Sequence, residues 1–130
     1  MPEPDDAAPA VILAYLAAYG PATTDNLRNW LARGHINVRR LRAWVATVRD
    51  QLAEVEVAGE PNWIRADDLD ELAAAKPSTA VRLLPGFDKY VLGPGTEDGH
   101  VTPAARRSAV SRQAGWISPV VVGGGVVRGT

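Results

Sequence analysis

The chain has 130 residues, which is enough for one compact domain or for a small domain with a β-rich appendage that shares its core. Its composition, 46% apolar and 22% charged with 12 glycines and 10 prolines, is typical of a globular protein with many turns; the lack of cysteine excludes disulfides, thiolate metal sites and a cysteine nucleophile. The formal net charge of −1 argues against a general polyanion-binding chain.

The beginning of the sequence is acidic and rich in proline, and we expect residues 1–8 to form a disordered acidic leader. No basic segment precedes an apolar core there, so a secretory signal is not expected. No apolar run approaches the roughly 18–20 residues that a bilayer-spanning helix needs. These features predict a cytoplasmic protein that does not contact a membrane.

Two helices are predicted first. The alanine- and leucine-rich residues 9–19 are followed by Gly20-Pro21, a sequence that ends helices. Residues 23–25 then offer a capping side chain for a second, short helix, which Arg33-Gly34 closes. The spacing of three and four residues puts the apolar side chains of this helix on one face: Leu27, Trp30 and Leu31.

A third helix is predicted from the N-cap Asn37 to about Leu52. Alternating spacings of three and four residues give it a single apolar stripe, which must face the other two helices. The stripe consists of Val38, Leu41, Val45, Val48 and Leu52. Four arginines fall off the stripe, namely Arg39, Arg40, Arg42 and Arg49, and Ala43 and Ala46 lie between them.

A β-hairpin is predicted next, because residues 54–57 and 62–65 alternate in polarity around a turn at 58–61. Three helices followed at once by a hairpin is the order of a winged helix. The acidic residues 67–75 predict one more short helix, with Pro77 shortly beyond it. We therefore assign residues 9–76 to a winged-helix domain with a trailing short helix.

Residues 77–130 are predicted to form a β-rich C-terminal subdomain, which makes the fold class α+β. Val81–Leu84 predicts a short strand, and residues 117–122 and 126–128 predict a second hairpin around the glycines at 123–125. Thr102-Pro103 predicts the start of a short helix. Residues 87–92 fit either one helical turn or an extended segment.

The arginines are the main functional signal. Between Thr24 and Arg49 there are six of them against one acid, Asp25. A helix that enters the major groove of DNA needs small residues at the groove wall and arginine at the reading positions. We predict that Arg39, Arg40 and Arg42 contact double-stranded DNA, and that Arg28, Arg49 and Arg65 contact phosphates. The alternative is that these arginines only solvate a helix face.

The predicted wing is neutral to acidic, with Glu54 and Glu56 before a turn that contains Glu60, which weakens the DNA hypothesis. Trp63 is predicted to pack in the core under the wing. A winged helix that binds a protein partner therefore remains an alternative. The acids at 67–71 are typical of a solvated helix start, and neither they nor the two histidines predict a metal site or any cofactor.

Most of the sequence after the leader resembles a known family. The motif LLPGFDKYVLG at residues 83–93 is its most specific part, and Arg106-Arg107, GWISPVVV at 115–122 and GVVRGT at 125–130 continue it. These residues are similar to the C-terminal part of the bacterial winged helix DNA-binding domain-containing proteins. Trp63 and Asp67-Asp68-Leu69 are similar to the last winged helix of the same family.

The resemblance implies tandem winged helices followed by a small β-barrel-like domain. It also implies relatives that are DNA glycosylases, which excise alkylated bases or unhook crosslinks and include self-resistance enzymes of antibiotic producers. The catalytic glutamine-rich motif of those enzymes lies in the N-terminal part of a longer chain, and the glutamines here, Gln51 and Gln113, do not form it. We therefore expect a C-terminal piece that binds DNA without catalytic activity of its own, with a glycosylase fragment as the alternative.

Overall fold

A computed structural model describes all 130 residues. The fold is α+β, as predicted, and the chain divides into two compact units, residues 1–75 and 76–130. The division lies one residue before the predicted limit between residues 76 and 77. The apolar length of every helix falls short of what a membrane span requires.

The first unit consists of three helices, a hairpin and a short fourth helix. These are α1 (Pro4–Tyr19), α2 (Thr24–Ala32), α3 (Val38–Thr47), β1 (Leu52–Val57), β2 (Glu60–Arg65) and α4 (Leu69–Ala74), with single 3-10 turns at Arg49–Gln51 and Ala66–Asp68. The strands β1 and β2 pair antiparallel, with Leu52 opposite Arg65 and Val57 opposite Glu60. This order, three helices followed by a hairpin and a short helix, agrees with the order predicted from the sequence.

The core of this unit lies where the three helices meet. Ile12, Tyr15 and Leu16 of α1 pack with Leu41 and Val45 of α3, and all five are buried. Leu27 from α2, Val48 after α3 and Ala22 complete the cluster, and the partly buried Trp63 of β2 packs against it. The backbone of Trp63 also exchanges two hydrogen bonds with Ala22, at 2.8 and 2.9 Å, which joins the hairpin to the helices.

Side-chain caps set the starts of α2 and α3. The Thr23 hydroxyl accepts the Asn26 backbone N–H at 3.1 Å, and the Asn26 side chain accepts the Thr23 backbone N–H at 2.9 Å, which is a reciprocal capping box. Asn37, the predicted N-cap of α3, accepts the Arg39 backbone N–H at 2.8 Å. These caps orient the first turns of the two helices that carry most of the predicted arginines.

The predicted disordered leader is wrong for residues 4–8, because α1 begins at Pro4. Proline suits the first turn of a helix, and Asp5 and Asp6 lie at its positive end, so the sequence that looked like a leader stabilises a helix start. Ala8 is buried, which ties this turn to the core.

Two predicted boundaries also shift. The helix predicted to reach Leu52 ends at Thr47, because Val48 adopts φ −114° and ψ 11° before the chain turns into β1. The second hairpin starts at Val120 and not at Ile117, because Pro119 has no N–H for a strand ladder. Ile117 instead forms an isolated β-bridge with Ser111.

The second unit is built on a three-stranded antiparallel sheet. Its elements are β3 (Val81–Leu84), α5 (Lys89–Leu92), α6 (Arg107–Val110), β4 (Val120–Gly123) and β5 (Val126–Gly129), and the strand order is β3-β4-β5. The buried hydrophobic side chains that form its core are Val91, Val110, Ile117, Val120, Val122 and Val127. Residues 89–92 form the helical turn, which resolves the alternative left by the sequence.

We predict that Leu41→Ala lowers the free energy of unfolding by about 2–5 kcal/mol, because Leu41 is fully buried between α1 and α3 and its loss leaves a cavity. Leu72→Ala, at a leucine of α4 that is 37% exposed, is the matched control and should change the free energy of unfolding by less than about 0.5 kcal/mol. Urea unfolding followed by circular dichroism measures both. Equal costs for the two variants would contradict this packing.

Candidate nucleic-acid interface

The side chains that α3 buries determine which of its residues face outward. Leu41 and Val45 are buried, so the opposite side of the helix exposes Arg39, Arg42 and the small Ala43 and Ala46. The guanidinium groups of Arg39 and Arg42 make no ion pair. Two free cations beside small residues form a surface that can approach a polyanion closely.

Arg40 lies on the flank of the same helix and is bound to α1. Its Nε and Nη2 donate to one carboxylate oxygen of Asp5 at 3.1 and 2.9 Å, and its guanidinium lies 5.0 Å from the ring centroid of Trp44. The Trp44 indole N–H donates to the same oxygen at 2.7 Å. The hydrogen bond from Trp44, followed by that from Arg40, lowers the pKa of Asp5. Among the three arginines predicted to contact the duplex, Arg40 is therefore the one that forms an ion pair with a carboxylate.

Two of the predicted phosphate contacts also have partners. Arg65 donates to both carboxylate oxygens of Asp68, at 2.7 and 2.6 Å, and this hydrogen bonding raises the pKa of Arg65 and lowers that of Asp68. Arg28 is half-buried, and its Nε donates to the Ile36 carbonyl at 3.1 Å. This hydrogen bond therefore joins α2 to the segment that connects it with α3.

Arg49 contributes to a concave surface beside α3. Its guanidinium lies 4.8 Å from the ring centroid of Trp63. A cavity of about 280 Å³ opens there, lined by Thr24, Arg42, Val45, Ala46, Arg49 and Trp63. Arg42 and Arg49 thus share one depression, and Trp63, which also packs against the core, contributes to its wall.

A second cavity, of about 370 Å³, lies between the end of α1 and α4. Its charged lining residues are Arg65, Asp68 and Glu71. The two carboxylates exceed the single cation, so this cavity does not suit an anionic ligand. No cluster of three or more His, Asp or Glu residues capable of holding a metal ion is present.

The two units carry opposite charge. Residues 1–75 contain seven arginines and twelve Asp or Glu, whereas residues 76–130 contain seven Lys or Arg and three Asp or Glu. The acids of the first unit lie mainly in the start of α1, the hairpin and α4, outside the α2–α3 segment. Sequence reasoning missed the excess of cations in the second half, which a charge count for each predicted domain would have found.

The arginine-bearing α3 face and the α+β fold are consistent with a protein that works on nucleic acid, and comparison with known proteins defines the class. Residues 1–130 match the family described as "DNA glycosylase AlkZ-like", and the chain belongs to that family. The family is narrower than the general winged-helix group that the sequence resembled.

A curated protein and a solved structure, both from Streptomyces sahachiroi, are similar to this chain. The chain is 53% identical over 129 residues to an "Interstrand DNA cross-link repair glycosylase", covering 99% of this chain and 35% of that protein. The solved structure "Streptomyces sahachiroi DNA glycosylase AlkZ" superposes with a TM-score of 0.94 at 53% identity, over 98% of this chain and 34% of that one. The chain therefore spans about a third of the length of the relatives it matches, and its placement in their C-terminal part stays a prediction.

We predict that Asp5→Asn destabilises the protein at neutral pH, because it weakens the carboxylate contacts to Arg40 and Trp44. The pKa of Asp5 is lowered by folding, so its contribution is present above the unfolded value of about 3.8 and is lost as the pH falls through the lowered folded value. Asp6→Asn removes the same charge from the same helical turn and serves as the control.

Thermal unfolding of wild type and both variants across a pH series measures this. Asp5→Asn should be less stable than Asp6→Asn at neutral pH, and the difference should disappear at the acidic end. A difference that persists unchanged at low pH would refute the role assigned to the carboxylate.

Proposed function

We propose that this chain is the DNA-gripping part of a DNA glycosylase of the AlkZ-like family, with duplex DNA that carries an interstrand crosslink as the substrate of the whole protein. The observation that carries the proposal is 53% identity to an interstrand crosslink repair glycosylase over 99% of this chain. The free guanidinium groups on α3 supply a surface suited to the backbone of that substrate.

The first unit acts as a winged helix in this proposal, and α3 is the helix that meets the duplex. Ala43 and Ala46 permit close approach to a groove wall, and Arg39 and Arg42 flank them. Arg49 adds a phosphate contact from the cavity that it shares with Arg42. These three arginines are the strongest of the six predicted contacts, because none of them makes an ion pair and Arg28, the other arginine without a carboxylate partner, is hydrogen-bonded to the Ile36 carbonyl.

The remaining three predicted arginines have weaker claims. Arg40 must leave Asp5 before it can neutralise a phosphate, and Arg65 must leave Asp68. Arg28 is held by the Ile36 carbonyl. We propose that Arg40 contacts DNA after this exchange, and that Arg28 and Arg65 support the fold of the unit.

Catalysis is proposed to reside elsewhere in the longer protein. Gln51 and Gln113 are exposed and 62 positions apart in the sequence, and neither belongs to the glutamine motif that the family resemblance implies.

The second candidate function, a protein-binding winged helix, is favoured by the exposed Glu54, Glu56 and Glu60 along the hairpin, which would repel phosphates.

We predict that Arg39→Ala/Arg42→Ala weakens duplex binding by about 1–3 kcal/mol and reduces the salt slope of log K by about 2, because two phosphate-neutralising cations are lost. Arg65→Ala is the control, since this cation is already paired with Asp68. Fluorescence anisotropy titrations of a labelled duplex at several salt concentrations measure both. An unchanged slope in the double variant, with capture of a protein partner instead, would favour the interaction module.

We further predict that the 130-residue chain alone releases no base from an alkylated or crosslinked duplex. A full-length relative, assayed in parallel, should release it, because the catalytic residues are proposed to lie outside this chain. Base release by the chain alone would overturn the proposal that it supplies only grip.

A further inference from the structure

A strained aromatic residue marks a second surface, in residues 76–130. Phe87 adopts φ +61°, a conformation that is a genuine outlier for a bulky side chain. The turn cannot easily relax, because the neighbouring Gly86 packs so closely on the Ile117 carbonyl that a Cβ there would lie 2.8 Å from its oxygen. On the other side, the Asp88 carboxylate accepts the Tyr90 backbone N–H at 2.8 Å and fixes the start of α5. The contacts on both sides therefore hold Phe87 in this backbone conformation, in which its ring is exposed.

The ring of Phe87 meets that of Trp116 edge to face, with ring centroids 5.2 Å apart and an interplanar angle of 82°. Phe87 is 48% exposed and Trp116 is 53% exposed, so the pair leaves ring surface open to solvent. The turn that carries Trp116 is fixed as well, because the Arg112 N–H donates to the Trp116 carbonyl at 2.8 Å and the Ser118 hydroxyl donates to the Ala109 carbonyl at 2.8 Å. Two rigid turns thus present one aromatic platform, Phe87 and Trp116.

Positive charge accompanies this platform. Lys89 follows Phe87 by two residues and Arg112 precedes Trp116 by four, and both are exposed without an ion-pair partner. Within residues 76–130, Arg107 forms an ion pair with Glu97. Asp88, the acid nearest in sequence, is engaged at the start of α5. Exposed aromatic rings with unpaired cations nearby in the chain match the chemistry of an unstacked nucleotide, which combines a π-face with a phosphate.

We propose that the Phe87–Trp116 platform stacks against an unpaired nucleobase, and that Arg112 and Lys89 contact the adjoining phosphates. The proposal extends the nucleic-acid function proposed above to residues 76–130 and rests on it for the class of ligand. It assigns the two units different parts of the substrate: the duplex backbone to α3, and an unpaired base to the aromatic platform.

The test uses the whole 130-residue chain and two single-stranded oligonucleotides of equal length and charge. One is a thymidine oligonucleotide and the other carries abasic tetrahydrofuran sites throughout. Wild type should bind the base-bearing strand roughly tenfold more tightly than the abasic strand at low salt, since stacking adds to the phosphate attraction. Trp116→Ala should remove this preference and leave abasic binding unchanged, whereas Arg112→Ala should weaken the binding of both strands.

Phe87→Gly keeps the test independent of misfolding, because glycine accepts the positive φ at this position while the ring is lost. Leu83→Ala, at an 81% exposed apolar residue of the same unit, is the control and should retain the preference for bases. Equal binding of the two strands by wild type would overturn the proposal. So would a loss of preference in Leu83→Ala, which would identify a general apolar surface for a protein partner.

The result is separable from the duplex test. Arg39→Ala/Arg42→Ala should weaken duplex binding and leave the preference for base-bearing over abasic single strands intact. Loss of the base preference in that double variant would overturn the assignment of the base to the aromatic platform, even if duplex binding behaved as proposed.

Discussion

The inward packing of α3 on α1 is the constraint on which the proposed duplex interface depends. Leu41 and Val45 are buried against Ile12 and Leu16, and this fixes the rotation of α3 about its own axis. Burial of these side chains also stabilises the unit, at about 1.5–3 kcal/mol for each fully buried aliphatic residue. Because the rotation of α3 is fixed, the side chains of Arg39 and Arg42 point away from the core.

In the first unit, local ion pairs determine which arginines keep an unneutralised charge, and the net charge of the unit matters less. Acids outnumber arginines there, yet the carboxylates of Asp5 and Asp68 bind two flanking arginines, Arg40 and Arg65, and leave the outer face of α3 unneutralised. Both pairs are partly exposed to solvent, which screens the attraction within each pair, so a phosphate can compete for the guanidinium. A negatively charged unit can therefore still offer a cationic helix face, while residues 76–130 carry an excess of cations of their own.

The helices and the first hairpin could be predicted from the sequence because their signals are local. The caps Thr23 and Asn37, the stop at Gly20-Pro21 and the spacing of Leu41, Val45 and Val48 each act within a few residues. The start of α1 was mispredicted because an acidic, proline-rich segment has the composition of a disordered leader, and its stabilising contacts, from Asp5 to Arg40 and Trp44, are 35 and 39 positions away in sequence.

The same limit applies to the candidate sites. The sequence identified the arginines of α3, but it could not show which of them find a carboxylate, because Asp5 and Asp68 meet their partners only in the folded chain. The Phe87–Trp116 pair was also inaccessible, since it depends on the positive φ of Phe87 and on a contact across 29 positions. Periodicity reports which face of an element is apolar, and it carries no information on such pairings.

The outward cationic face of α3 is tested most directly by titrating the isotopically labelled chain with a DNA duplex and following its backbone amide and arginine side-chain NMR resonances. We expect the largest shifts on the outward side of α3, at Arg39, Arg42, Ala43 and Ala46, with smaller shifts at Arg49 and none in α4. Duplex binding that leaves the α3 resonances in place, or that shifts α4 and the hairpin instead, would contradict this expectation.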